Sequence, residues 1–210
     1  QSFGTICFSP CGTRLGSVGG DPDYALTVWE WTEERVLLRN KAFSQEVSTL
    51  VFSPKAEGVM YTAGQAHIKF WTLAQTFTGL KLQGAIGKFG KQEICDIRCV
   101  CERGGVIVAG TEHGQLFVWD GTGCYIRAVL RRSWGPGKLV DGVAVDDNGI
   151  VYINEGAEVP SGAATVVRVR NVGVEDGVIV SDCHVGDVEH VSVEGGVLTS
   201  IGSDGFIRHW

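Results

Sequence analysis

The sequence lacks the features that mark several large classes of protein. It has no run near ~18 apolar residues, as a membrane-spanning helix needs, and its first residues do not read as a signal peptide. It has no Asn-x-Ser/Thr glycosylation acceptor. Only 20% of its 210 residues are charged, whereas 30 are Gly, a composition that favours turn-rich β-structure over helix. The first residue, Gln1, is not Met, which predicts a piece of a longer protein.

Seven cysteines, an odd number, favour reduced thiols in an intracellular, reducing compartment. Cys95, Cys99 and Cys101 are spaced C-x3-C-x-C, which could suggest zinc. Alternation along a strand would put Cys99 and Cys101 on one face, and no CxxC or ordered His partner follows. We therefore predict buried reduced thiols and no metal site.

Charge is unevenly distributed over a chain with a net charge of −6. No Lys or Arg lies between Asn171 and Ile207. Basic residues gather in the segment 75–94 and around Trp134. A basic patch on an acidic body predicts an acidic partner. The acidic balance argues against nucleic acid, whose binding domains are usually basic.

Tryptophans end short apolar runs at a nearly regular interval. Trp29, Trp71, Trp119 and Trp210 close such runs, and Arg170 stands where a further tryptophan is expected. A self-similar period of about 40–50 residues, each copy with several short strands, is typical of a β-propeller with WD40-type blades. The predicted fold class is therefore all-β.

Five blades can be read along residues 1–210, at approximately 5–40, 48–80, 97–130, 142–180 and 188–210. Each is predicted to hold strands a to d, except that the chain stops at strand c of the fifth. We predict a fragment of a seven- or eight-bladed ring, and a closed five-bladed ring is the alternative.

WD40 blades share a hydrogen-bonded set of His, Ser or Thr, Asp and Trp. Only the fifth blade carries the whole set, at His184, Ser200, Asp204 and Trp210. A Ser, His and Asp trio could suggest a hydrolase. However, no GxSxG elbow accompanies it and the Asp lies in a tight Ser-Asp-Gly turn. We predict a structural tetrad, no catalytic residues and no cofactor.

The second and third blades depart from that set. Gln65 and Tyr61 are predicted at its Asp and Ser positions in the second blade, and His113 and Ala109 in the third. His113 beside Glu112 could be an acid–base pair, but Glu-His-Gly here reads as a b–c turn.

In a propeller the d–a and b–c connections emerge on the same face. Loops 75–94 and 131–139 are predicted to be d–a connections, and GGDPDY is predicted to be a b–c connection. The candidate partner-binding rim is Asp21, Asp23, Tyr24, Lys88, Phe89, Lys91, Arg131, Arg132 and Trp134. Exposed aromatics and Arg are typical of interface hot spots. The alternative is that Phe89 and Trp134 pack under their own loops.

Asp21 and Asp23 bracket Pro22 in the b–c connection GGDPDY. Paired carboxylates can do acid–base work or bind calcium, but two ligands are too few for calcium. A solvated turn with partner contacts is the better interpretation.

Three segments carry a resemblance to a known family. FSPCGTRLGSVGGDPDYALTVWEW, KAFSQEV and TFTGLKLQGAIGKFGK resemble the WD-repeat region of the cilia- and flagella-associated protein 44 family. The resemblance implies a non-enzymatic scaffold in the axoneme of a cilium or flagellum. It also implies a place in the tether that holds an inner-arm dynein motor domain to the microtubule doublet. The expected partners are tether subunits and inner-arm dynein, with no membrane partner.

The GKFGK segment also resembles, more distantly, the echinoderm microtubule-associated-protein-like propellers, which implies tubulin as an alternative partner. A competing class is an enzyme or small-molecule-binding propeller that uses the central channel. That class needs polar groups converging at the inner strand ends, whereas the a strands TICF and GVAV are apolar or small.

Overall fold

A computed structural model describes residues 2–77, 79–103, 105–113, 115–122, 124–130, 140–145, 151–155, 163–169, 177–185, 188–194, 197–202 and 205–209. The chain contains two compact units, Gln1–Ile97 with Thr122–Tyr125, and Arg98–Gly121 with Ile126–Trp210. Among the described residues no helix is long and apolar enough to cross a membrane.

The first sheet consists of strands β1 (Phe3–Phe8), β2 (Arg14–Gly19), β3 (Ala25–Glu30) and β4 (Arg35–Lys41). The β1–β2 turn closes with Gly12 N–H donating to the Ser9 carbonyl at 2.8 Å. Gly12 has φ +70°, a conformation that glycine adopts without steric cost. A 3-10 helix, Trp31–Glu33, connects β3 to β4.

The second sheet consists of β5 (Val47–Phe52), β6 (Val59–Gly64), β7 (His67–Thr76) and β8 (Gly79–Ile86). The prediction that residues 75–94 form one long connection is wrong, because β8 pairs antiparallel with β7 along most of its length. The second sheet therefore continues past residue 80, its predicted end. Most of β8 is exposed, although Leu80, Leu82 and Ile86 stand at alternate positions along it, a pattern typical of a strand.

Three more sheets follow along the chain. They contain β9 (Ile97–Arg103), β10 (Val106–Thr111), β11 (Leu116–Asp120) and β12 (Tyr125–Leu130), then β13 (Val140–Val145), β14 (Val151–Glu155), β15 (Ala163–Val169) and β16 (Gly177–Val185), and finally β17 (Val188–Glu194), β18 (Val197–Gly202) and β19 (Ile207–His209). In every sheet, strands that are consecutive in sequence are neighbours. In the described part of the chain four sheets have four strands and the last has three, and these units confirm the all-β fold with WD40-type blades. The number of blades in the complete ring stays a prediction.

A continuous apolar core joins the first sheet to the second. It contains Val18, Leu26 and Val28 from one sheet and Leu50, Phe52, Met60 and Trp71 from the other. Gly16 allows the close approach, since a Cβ there would lie 2.8 Å from Leu50 and 3.0 Å from Phe52. Burying such side chains contributes roughly 1.5–3 kcal/mol each, and this core fixes the positions of the loops at the sheet ends.

Candidate interaction surface

Four connections of the first unit lie beside one another and are joined by hydrogen bonds. Residues 20–24, 42–46, 65–66 and 87–96 form this set, called here the loop surface. Ala42 N–H donates to the Tyr24 carbonyl at 2.8 Å, and Gln65 N–H donates to the Glu46 carbonyl at 3.0 Å. Ala66 N–H donates to Asp96 Oδ1 at 3.0 Å. Each connection is thereby fixed to the next.

The end of the loop surface at residues 20–24 is acidic. Asp21, Asp23 and Glu46 are exposed, and the Tyr24 hydroxyl donates to Asp21 Oδ1 at 3.4 Å. Desolvation raises the pKa of Tyr24, and the negative charges of Asp21 and Glu46 raise it further. Asp21, Asp23 and Tyr24, the predicted rim residues of this turn, therefore lie together at the surface.

The segment 87–96 presents positive charge. Lys88 and Lys91 are exposed, whereas Phe89 between them is only 8% exposed. The Phe89 carbonyl accepts a hydrogen bond from Gln92 N–H at 3.0 Å, and Lys88 N–H donates to the Cys124 carbonyl at 2.6 Å. Phe89 is thus an inward anchor. The prediction that the Phe89 ring is part of the exposed rim is therefore wrong. Its burial agrees with the alternative, that Phe89 packs under its own loop.

The remaining predicted rim residues, Arg131, Arg132 and Trp134, lie outside the described residues, as do Asp204 and Trp210 of the predicted tetrad. His184 is in strand β16, opposite Ala164. Ser200 is in β18, opposite Arg208. The tetrad of the fifth blade stays a prediction.

Two tryptophan–hydroxyl hydrogen bonds occur among the described residues of the first unit. Trp29 Nε1 donates to Ser17 Oγ at 2.9 Å and Trp71 Nε1 donates to Thr62 Oγ1 at 2.8 Å. The assignment of Tyr61 to the Ser position is therefore wrong, because the alternation of the strand turns Tyr61 to the opposite face, where it packs edge-on against Phe70.

Strand register explains which hydroxyl is used. Ser17 and Thr62 each stand opposite the residue two before the tryptophan. Ala109 holds the equivalent position opposite Phe117, as expected from the sequence, and Ser200 opposite Arg208 has the same register. Counting back from the tryptophan across the hairpin would have found Ser17 and Thr62.

His67 is a buried residue that the sequence prediction missed. Its Nδ1 lies 3.0 Å from the Gln65 carbonyl oxygen, and its ring stacks on Phe43 with centroids 3.7 Å apart. Nε2 is buried and has no hydrogen-bond partner among the described residues. Burial lowers the pKa of His67 below its usual value of 6.5. The neutral ring, with Nδ1–H donating, fits this environment.

The other candidate groups from the sequence, the His113–Glu112 pair and the cysteines at 95, 99 and 101, do not form one site in the described part of the chain. His113 Nε2 lies 3.8 Å from Glu112 Oε1 in a solvent-exposed turn. Cys95 and Cys99 are buried and Cys101 is half-buried. No cluster of three or more His, Cys, Asp or Glu side chains suited to a metal is found in the described part of the chain.

Cys11 differs from the buried thiols. It is exposed in the β1–β2 turn, and its Sγ lies 3.3 Å from Ser9 Oγ and 3.0 Å from Thr13 Oγ1. These hydrogen bonds, first that of Ser9 and then that of Thr13, lower the pKa of Cys11 to about 7. In contrast, burial raises the pKa of Cys7. The thiolate is the reactive form of cysteine, so Cys11 combines exposure with an ionised fraction at neutral pH.

Known proteins are similar to this chain over part or all of its length. No family model matches. Cilia- and flagella-associated protein 44 of Chlamydomonas reinhardtii is 52% identical over 58% of the chain and 7% of that protein. Its counterpart in Trypanosoma brucei brucei is 34% identical over 100% of the chain and 10% of that protein. The chain belongs to the cilia- and flagella-associated protein 44 family.

Membership in the cilia- and flagella-associated protein 44 family agrees with the resemblance seen in the sequence and assigns the chain to the cilium or flagellum. The chain spans only 7% and 10% of the length of these two relatives. Human echinoderm microtubule-associated protein-like 2 is 33% identical over 66% of the chain and 22% of that protein. This likeness agrees with the WD-repeat blades of the fold.

Proposed function

We propose that this chain is a non-enzymatic interaction module of the axoneme, within the tether that links an inner-arm dynein motor domain to the microtubule doublet. The observation that carries the proposal is the loop surface. Its connections are joined to one another by hydrogen bonds and present exposed charge, and the described residues in it do not form a constellation suited to catalysis.

The two ends of the loop surface suit different partner charges. Lys88 and Lys91 project on either side of the anchor Phe89, while Asp21, Asp23 and Glu46 form the acidic end. Opposite charges on one relatively rigid surface favour a partner with complementary charges in a fixed orientation. Because these groups are exposed, their contribution falls as salt rises, with a screening length of about 8 Å at physiological ionic strength.

Direct binding of the immobilised chain to a purified inner-arm dynein motor domain tests the tether role. The double variant Lys88→Glu/Lys91→Glu should weaken binding at least about tenfold, as expected when two cationic contacts become repulsive. Lys55→Glu/Lys81→Glu makes the same charge change outside the loop surface and is the matched control. Binding that both double variants leave unchanged would contradict a role for the basic segment.

A second candidate is direct binding to microtubules, as expected for the echinoderm microtubule-associated-protein-like propellers. The observation that favours it is the exposed Lys88 and Lys91 pair, because tubulin tails are acidic. Co-sedimentation with stabilised microtubules over a salt series, with tail-cleaved microtubules as control, separates the two candidates. Salt-sensitive pelleting that needs the tails and is lost in Lys88→Glu/Lys91→Glu supports direct microtubule contact. No pelleting at low salt leaves the dynein side of the tether as the proposed contact.

A further inference from the structure

The outer strand of the second sheet, β8, has an open edge. It ends the strand order β5-β6-β7-β8 and, among the described residues, pairs only with β7. Gly87 N–H donates to the Ile68 carbonyl at 2.8 Å, which fixes the phase of this antiparallel ladder. Successive residues of a strand turn their N–H and C=O to alternate sides, so the inward amides, bonded to β7, are those of Lys81, Gln83 and Ala85. The outward amides, which point away from β7, are those of Leu80, Leu82, Gly84 and Ile86.

Strand β8 lacks the features that protect the corresponding edge of the first sheet. In β4 the register shifts between Val28 and Trp29, a bulge that interrupts the edge. β4 also carries three cations, Arg35, Arg39 and Lys41. In contrast, β8 pairs with β7 at eight successive positions without a shift, contains no Pro, and has Lys81 as its only charged residue. Bulges, charges and proline are what natural proteins use to keep a further strand off a sheet edge, and β8 has little of this protection.

The two faces of β8 differ in character. Leu82 packs against the core that contains Trp71, and the alternation of the strand puts Leu80 and Ile86 on that same face. Leu80 is half-buried and Ile86 is 57% exposed. Lys81 lies on the opposite face and is exposed. A strand beside β8 would therefore meet apolar side chains on one face and a cation on the other.

We propose that β8 is the docking site for an extended segment of a partner protein, which adds to the second sheet as a fifth strand. Apolar side chains of the segment lie beside Leu80 and Ile86, and an acidic side chain lies beside Lys81. In this mode of recognition main-chain hydrogen bonds hold the segment and its alternate side chains select it. A second copy of β8 fits less well, since it offers a cation and no acid to Lys81.

This docking site is distinct from the loop surface, to which β8 contributes no residue, and it takes a different segment. Lys81→Glu should therefore leave binding at the loop surface unchanged. The strand-addition test likewise does not depend on Lys88 and Lys91, so its failure and a failure of the proposed function can be told apart.

Amide hydrogen exchange of the 210-residue chain, followed by NMR, tests the proposal. The probe is a synthetic peptide with capped ends, about eight residues long, in which Val alternates with Glu. In the chain alone the outward amides should exchange at least about tenfold faster than the inward amides, which are bonded to β7. The peptide should slow exchange of the outward amides at least about tenfold and leave the inward amides nearly unchanged.

Variants separate the charge from the backbone contribution. Lys81→Glu should weaken binding of the alternating peptide at least about fivefold, because attraction becomes repulsion, whereas Lys55→Glu, outside β8, should not. Ile86→Pro removes an outward N–H without removing a bond to β7. It should weaken binding more than Ile86→Ala, which shortens the side chain but keeps that N–H. A peptide of the same composition, with all its Val residues first and all its Glu residues last, is the matched control probe.

Three results would each overturn the inference. The first is no slowing of exchange at the outward amides, or equal slowing at outward and inward amides. The second is equal binding of the alternating and the control peptide, which would show charge attraction alone. The third is exchange at the outward amides that slows as the concentration of the chain itself rises, because the occupant would then be a second copy. If Ile86→Pro unfolds the chain, Lys81→Glu and the control peptide still decide the outcome.

Discussion

Replacing Thr62 by Val tests the hydrogen bond between the third and second strands of the second sheet. Trp71 Nε1 donates to Thr62 Oγ1 at 2.8 Å, and the two side chains are 1% and 0% exposed. Valine keeps the shape of threonine, so the main effect is a buried indole N–H without an acceptor. That costs about 1–3 kcal/mol, which lowers the melting temperature by roughly 3–8 °C for a chain of this length.

The first sheet provides the matched control. Ser17→Ala removes the equivalent acceptor from Trp29, but that indole borders an open groove, where water can replace the hydroxyl. We expect Ser17→Ala to cost less than about 1 kcal/mol. Urea unfolding of Thr62→Val, Trp71→Phe and the double variant isolates the pair by a double-mutant cycle. A coupling energy near zero, or a larger effect of Ser17→Ala, would refute the reasoning.

Three further predictions concern single residues. The pKa of His67 is lower in the folded chain than in the unfolded one, so the unfolded state binds more protons in acid. The free energy of unfolding should therefore decrease as pH falls below about 6.5. In His67→Phe the urea unfolding midpoint should change less with pH between pH 7.5 and pH 5. Gly64→Ala would place a Cβ against the Glu46 carbonyl and should cost on the order of 3 kcal/mol. Gly12→Ala has open space but φ +70° and should cost only about 1 kcal/mol; equal unfolding midpoints for the two variants would count against this. Maleimide labelling at pH 7 should be dominated by Cys11, whose pKa is about 7, and a fast phase that persists in Cys11→Ser would show another thiol to be responsible.

The sequence predicts most of the strands because their alternation and the tryptophan period reflect burial. The outer strand β8 is missed although Leu80, Leu82 and Ile86 stand at alternate positions along it; little of this strand is buried. Thr62 is missed because the number of residues between the hydroxyl residue and the tryptophan depends on the length of the b–c turn. Ser17 precedes Trp29 by 12 residues, whereas Thr62 precedes Trp71 by 9.

The candidate surface is less predictable than the fold. Nothing in the pattern GKFGK distinguishes an outward phenylalanine from an inward one, and only the packing of residues 87–96 decides that Phe89 is buried. The burial of His67 likewise depends on Phe43, which lies in a different connection of the chain. Such contacts between distant segments leave no periodic signal in sequence.

The hydrogen bonds along the loop surface have a mechanical consequence. Tyr24 accepts a hydrogen bond from the connection after β4, and Glu46 of that connection accepts one from the turn before β7. This turn in turn donates a hydrogen bond to Asp96. A force that pulls on one turn is therefore divided among several bonds that stretch at the same time. Peeling a single hairpin from this edge requires bonds to its neighbours to break with it, so the edge resists tension better than isolated turns would.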